Sequence, residues 1–114
     1  MDFTSFKQSL SRNEPPENAS VYLTALWYDA KDDWDKAHEL IQDVQDKNAS
    51  WIHAYLHRKE GDNSNAGYWY SRAGKKGSVE SLEREWEEIV KALINWSQNK
   101  PGPKMKIRQT VANL

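Results

Sequence analysis

Between Trp51 and Gly74 the chain reads WIHAYLHRKEGDNSNAGYWYSRAG, and Glu60-Gly61-Asp62 near its middle marks a sharp turn between two helices. Glycine enters the left-handed backbone region without a Cβ clash, which suits the residue just past a helix end. Asp62, Asn63 and Ser64 then offer side-chain oxygens to cap the helix that follows. Beyond the turn, Ala66, Tyr70 and Ala73 recur on one helical face, and the two alanines are small enough to admit a neighbouring helix closely. The stretch is a helical hairpin.

The same pattern occurs once before. Asp33-Trp34-Asp35-Lys36-Ala37 stands where Asp62-Asn63-Ser64-Asn65-Ala66 stands 29 residues later. Asp32 occupies the place of Gly61, so a somewhat different turn is expected in the first copy. From about residue 16 to 31 the apolar residues Val21, Leu23, Ala25, Leu26, Trp27 and Tyr28 lie on most sides of a helix, as for one with neighbours on two faces. Trp34 to Asp46 reads as its partner. Residues 3 to 11 suit a short amphipathic helix through Phe3, Phe6 and Leu10, which Pro15-Pro16 halts. Ser78 caps a fifth long helix whose stripe is Val79, Leu82, Trp86, Ile89, Leu93 and Trp96. The acidic run from Asp29 to Asp35 and the glutamates of that helix read as solvated faces. The expected fold is all-α: a right-handed array of two antiparallel helical hairpins with a short amino-terminal helix and a long capping carboxy-terminal one. It spans residues 1–100, about five helices, and residues 101–114 form a basic arm.

Length allows one domain, since 114 residues bury a modest core and are too few for two. Mean hydropathy is low at -0.96, yet six tryptophans and five tyrosines supply large buried areas per residue, so the core is aromatic rather than absent. Cysteine is missing, which excludes a disulfide framework, a thiolate nucleophile and a thiolate metal site. No apolar run reaches the roughly 20 residues that cross a bilayer, and MDFTSFKQSL lacks the order of a secretory signal. A cytoplasmic protein without membrane contact is expected. A net charge of -1 gives no general attraction to nucleic acid, although every charged residue after Glu88 is basic. Pro101-Gly102-Pro103 uncouples the arm, and its apolar residues Met105, Ile107, Val111 and Leu114 predict docking on the domain or on a second subunit. A homodimer through helix five or through the arm follows as an expectation.

The order Ala54, Gly61-Asp62, Ala66, Tyr70, Ala73 resembles the tetratricopeptide repeat, whose two helices join at a Gly-Asp turn. YWYSRAG is similar to the Sel1-like variant, and HAYLHRKEGD with NA.YWY..AG resembles small bacterial proteins of this type, a likeness that brings no activity with it. It covers residues 20 to 74, with a period shorter than the usual ~34 residues. Such repeats bind peptides on the concave side of their first helices, which the resemblance places at Tyr22, Trp51, Tyr55, Arg58 and Lys59. Aromatic residues and arginine are enriched at binding hot spots, so a protein or peptide partner is expected there. One alternative is that the amino-terminal segment or the fifth helix fills that groove.

The second candidate is a histidine cluster. His53 and His57 are one helical turn apart on one face with Glu60 near the stripe, and His38 on the preceding helix completes a possible ligand set for zinc or another divalent metal. The metalloprotease pattern fails, because Ala54 stands where the general-base glutamate should follow the first histidine. The alternative is neutral histidines hydrogen-bonded to tyrosine or carboxylate in the core. No phosphate loop or acyl-transfer triad appears. An interaction role without a cofactor is therefore expected ahead of an enzyme.

Overall fold

The computed structural model describes residues 1–99, and the described chain is all-helical. Six α-helices run in order: α1 (Phe3–Gln8), α2 (Val21–Ala30), α3 (Trp34–Ile41), α4 (Lys47–Lys59), α5 (Asn63–Ala73) and α6 (Leu82–Asn99), with one 3-10 turn at Ser9–Ser11 after α1. The basic arm and the docking expected of it lie outside the described residues. No described helix is long and apolar enough to cross a membrane.

Short polar side chains set where the helices begin. Asp2, Ser20, Asp33, Asp46 and Asp62 each accept a backbone N–H two or three residues into α1 to α5, satisfying donors that the helix itself leaves unpaired. Asp46 explains why α3 is shorter than expected. It is taken as the cap of α4, where it accepts from Ala49 N–H at 2.8 Å, so α3 ends at Ile41. The last helix also starts later than the sequence pattern indicates. Ser81 rather than Ser78 caps α6, accepting from Arg84 N–H at 3.1 Å, and Val79 is left 97% exposed ahead of the helix instead of joining its core stripe.

The two turns of the repeat are alike, contrary to the expectation raised by Asp32. Asp32 has φ 65° and Gly61 φ 88°, so both sit in the left-handed region. Asp33 N–H donates to Tyr28 O and Asp62 N–H to His57 O, each at 2.9 Å. Aspartate is among the few residues that tolerate this region, because its short polar side chain compensates locally. Asp32→Gly should therefore stabilise the fold by about 0.5 kcal/mol, and Gly61→Ala should cost about 1 kcal/mol. A Cβ at Gly61 would meet nothing within 4 Å, so that cost is purely one of backbone conformation. Urea unfolding of both variants checks this, and a destabilised Asp32→Gly would show that the aspartate side chain is needed.

Helix α2 packs on α3 and α4 on α5, and α6 lies against α4, α2 and α1. The core forms where these meet. Trp27, Leu26, Ile41, Ile52, Leu56, Ile89 and Leu93 are almost wholly buried. Trp86 of α6 is anchored by a hydrogen bond from its indole N–H to Leu26 O at 3.0 Å and packs against Phe3 and Phe6 of α1. On the exposed side, Arg84 of α6 pairs with Glu80 just ahead of the helix, and Lys91 with Glu87 one turn apart within it.

Candidate functional site

The five residues expected to meet a partner lie on α2 and α4, against which α6 packs, and of the five Lys59 is exposed. Tyr22, Trp51 and Tyr55 are buried. Tyr22 donates to Asp46 and meets Trp96 edge to face, with ring centroids 5.4 Å apart. Burial, reinforced by Asp46, pushes its phenol up to about 12. Tyr55 donates to Asp29 at 3.0 Å, and Lys59 pairs with the other oxygen of that carboxylate at 2.9 Å. Trp51 and Tyr70 donate to Glu85 Oε2 at 3.3 and 2.6 Å, while Arg58 holds Oε1 at 2.7 Å and also reaches Glu80 O. Burial raises the phenols of Tyr55 and Tyr70, with the adjacent carboxylates adding to it. In this arrangement the side chains of the groove serve to hold the protein's own helices together.

Asp29 and Glu85 correct the sequence reading. Both belong to acidic stretches expected to be solvated, yet each is only 1% exposed. Their positions carried a signal: Asp29 continues the stripe of Tyr22 and Ala25, and Glu85 lies one turn before Ile89. Adjacent residues Arg58 and Lys59 at the end of α4 supply the two countercharges. A cleft of about 470 Å³ opens beside Asp29, Tyr55 and Lys59, with Phe3, Lys7 and Trp86 among its other walls.

The histidines come together elsewhere, between α3, α4 and α5. A ring nitrogen of each of His38, His53 and His57 lies within 4.8 Å of one from each of the others. His38 Nε2 and His53 Nε2 are 3.0 Å apart, which requires one ring to donate N–H to the other. His57 Nδ1 is 2.7 Å from Glu60 Oε2. Glu60 therefore engages His57 from the side, and a proton held at Nδ1 leaves Nε2 with a free lone pair. His53 and His57 are buried and His38 is half-buried. Burial, with lesser repulsion from His38 and His57, lowers His53 to about 4. Burial also lowers His38, and His57 adds to this while Glu60 and Asp35 oppose it. Both rings are held in the neutral form that ligates metals.

Two indoles wall the cluster. Trp34 stacks on His38, one turn further along α3, at 4.9 Å and an interplanar angle of 9°, and its N–H is fixed on Leu56 O at 2.8 Å. Trp69 of α5 stacks on His53 at 4.0 Å and 20°. The Trp34 wall is legible as an i, i+4 pair with His38, whereas the Trp69 contact depends on how α5 packs on α4. Comparison with known proteins gives no match to a family model, to a curated protein or to a solved structure.

Proposed function

We propose that this protein binds a divalent transition-metal ion, zinc foremost, through His38, His53 and His57, on a scaffold of stacked hairpins of the tetratricopeptide and Sel1-like type. The observation that carries the reading is the convergence of three largely desolvated imidazoles from two helices. Two nitrogens bound to one tetrahedral zinc stand about 3.3 Å apart, and the 3.0 Å between His38 and His53 needs little adjustment to reach that. Glu60 on Nδ1 of His57 would serve as the outer carboxylate that metal-binding histidines usually have, fixing both tautomer and ring orientation. Desolvated, neutral rings also lower the proton release that binding would otherwise require.

Calorimetric titration of the full chain, purified without an affinity tag and stripped with chelator, tests the reading. One equivalent of zinc should bind, and at a hundredfold excess over Kd the fold should gain about 2.7 kcal/mol against unfolding. His57→Ala should abolish binding, and Glu60→Gln should weaken it by roughly 10–100-fold. Substoichiometric metal that His57→Ala leaves unchanged would reduce the cluster to core packing.

A second reading, a module that takes a peptide or partner helix, rests on the aromatic and cationic side chains of α4. Tyr22, Trp51, Tyr55 and Arg58 would meet such a partner only once α6 has left the groove, whereas Lys59 is already exposed beside the cleft. The exposed Tyr68, with Arg72 against it, is the aromatic surface already open to solvent.

A further inference from the structure

The last turns of α6 and the start of α2 line a second cleft, of about 440 Å³. Leu23 and Ile94 are its buried floor, Pro16 and Ala19 are half-buried walls, and Met1 on its edge is 48% exposed. Gln98 donates from Nε2 to Met1 O at 3.2 Å and so ties that edge to α6. Apolar surface of this kind gains when something covers it. Position, pattern and charge single out one segment of the chain for that place. Gln98 lines the cleft and α6 runs to Asn99, so residues 100–114 start at its edge. Pro101-Gly102-Pro103 opposes continued helix and suits a reversal of direction. Then Lys104-Met105-Lys106-Ile107-Arg108 alternates cation and apolar residue throughout, the period of an extended chain with one apolar and one charged face. At about 3.3 Å per residue, the stretch from Asn99 to Ile107 spans up to roughly 26 Å, so reach is no obstacle. Glu17 lines the cleft and Glu14 stands two residues ahead of Pro16. Both are exposed, and neither has an ion pair among the described residues.

We infer that the occupant of this cleft is residues 104–108 of the same chain, with Met105 and Ile107 over Leu23 and Ile94. Lys104, Lys106 and Arg108 then lie on the outward face, where their long stems let the charges reach Glu14 and Glu17 at the rim and stay hydrated. A tether this short holds the segment at an effective concentration on the order of millimolar. At micromolar protein the chain's own segment therefore outcompetes the same segment of a second copy.

The sequence has no cysteine, so a pair introduced into the full chain forms the only possible disulfide. Asn18→Cys with Ile107→Cys joins the exposed edge of the cleft to the segment. Gln45→Cys with Ile107→Cys is the control: Gln45 is exposed near the same end of α6, next to Asp46, which accepts from Tyr22 while the Tyr22 ring meets Trp96. Under mild oxidation the first pair should close within one chain at least roughly tenfold faster than the control, read on non-reducing gels. Glu17→Lys added to the first pair should slow closure by roughly two- to fivefold at low salt, the range of a screened surface charge interaction. Equal rates for the two pairs would overturn the docking, and a fast disulfide between chains would assign the cleft to a second copy instead. A closure rate that Glu17→Lys leaves unchanged would overturn the pairing of the cations with the rim. Met105→Ser with Ile107→Ser, which leaves the described residues untouched, gives an independent decision. It should lower the urea midpoint of the chain, and an unchanged midpoint would overturn the docking even if a cysteine variant fails to fold.

Discussion

Glu85→Ala is expected to cost about 3–5 kcal/mol of folding stability, a large share of what a domain of this size has. The carboxylate is 1% exposed and gathers Arg58, Tyr70 and Trp51 from α4 and α5 onto α6. Removing it leaves the Arg58 guanidinium without its buried partner and two aromatic donors unsatisfied, and unmade buried bonds cost more than made ones gain. The asymmetry gives a sharper check. Replacing both members, as Arg58→Met with Glu85→Leu, should be much less damaging than Glu85→Ala alone, because no orphaned charge remains. Urea unfolding of the single and double variants measures both effects. A Glu85→Ala loss below about 1 kcal/mol would show that α6 is held by apolar packing alone.

Acid should also unfold the protein, through the histidines. His53 titrates at about 4 in the fold against 6.5 for the unperturbed group, and His38 is lowered in the same direction. The unfolded chain then binds more protons than the native one between those values. Stability is complete above about pH 6.5 and declines as pH falls towards 4. For His53 alone the full loss is at most about 3–4 kcal/mol, since each tenfold weakening of proton binding in the fold corresponds to ~1.4 kcal/mol, and solvent screening of the ring lowers it further. Because an ion at the cluster would compete with protons, the measurement requires chelator throughout. His53→Phe retains a ring to stack on Trp69 and removes the titration, so its stability should vary less with pH over this window. Parallel curves for wild type and His53→Phe would sink this account of the acid sensitivity.

The helices and turns of this chain are written in local chemistry, which is why they can be read without the structure. Asp33 and Asp62 as caps and Gly61 past the end of α4 depend only on residues within one helical turn of each other, and the repeat copies that local pattern 29 residues on. The Asp32 turn departs from its expected difference. Aspartate follows the glycine geometry, because the hydrogen bonds closing the turn are backbone bonds that either residue permits. The histidine set is likewise legible in part, since His53 and His57 share a face by spacing alone and Glu60 lies three residues after His57. Tertiary structure decided the rest. It packed α6 against α2 and α4, and α2 against α4, which turned Asp29 and Glu85 from solvated charges into buried partners of Lys59 and Arg58. It also brought His38 across from α3 and Trp69 across from α5 to meet His53. Local pattern reports which side of a helix is polar, but whether a polar group ends in water or on a countercharge depends on which helix packs over it. That is set by contacts between residues far apart in the chain, as with Glu85, which lies 27 residues from the arginine that balances it.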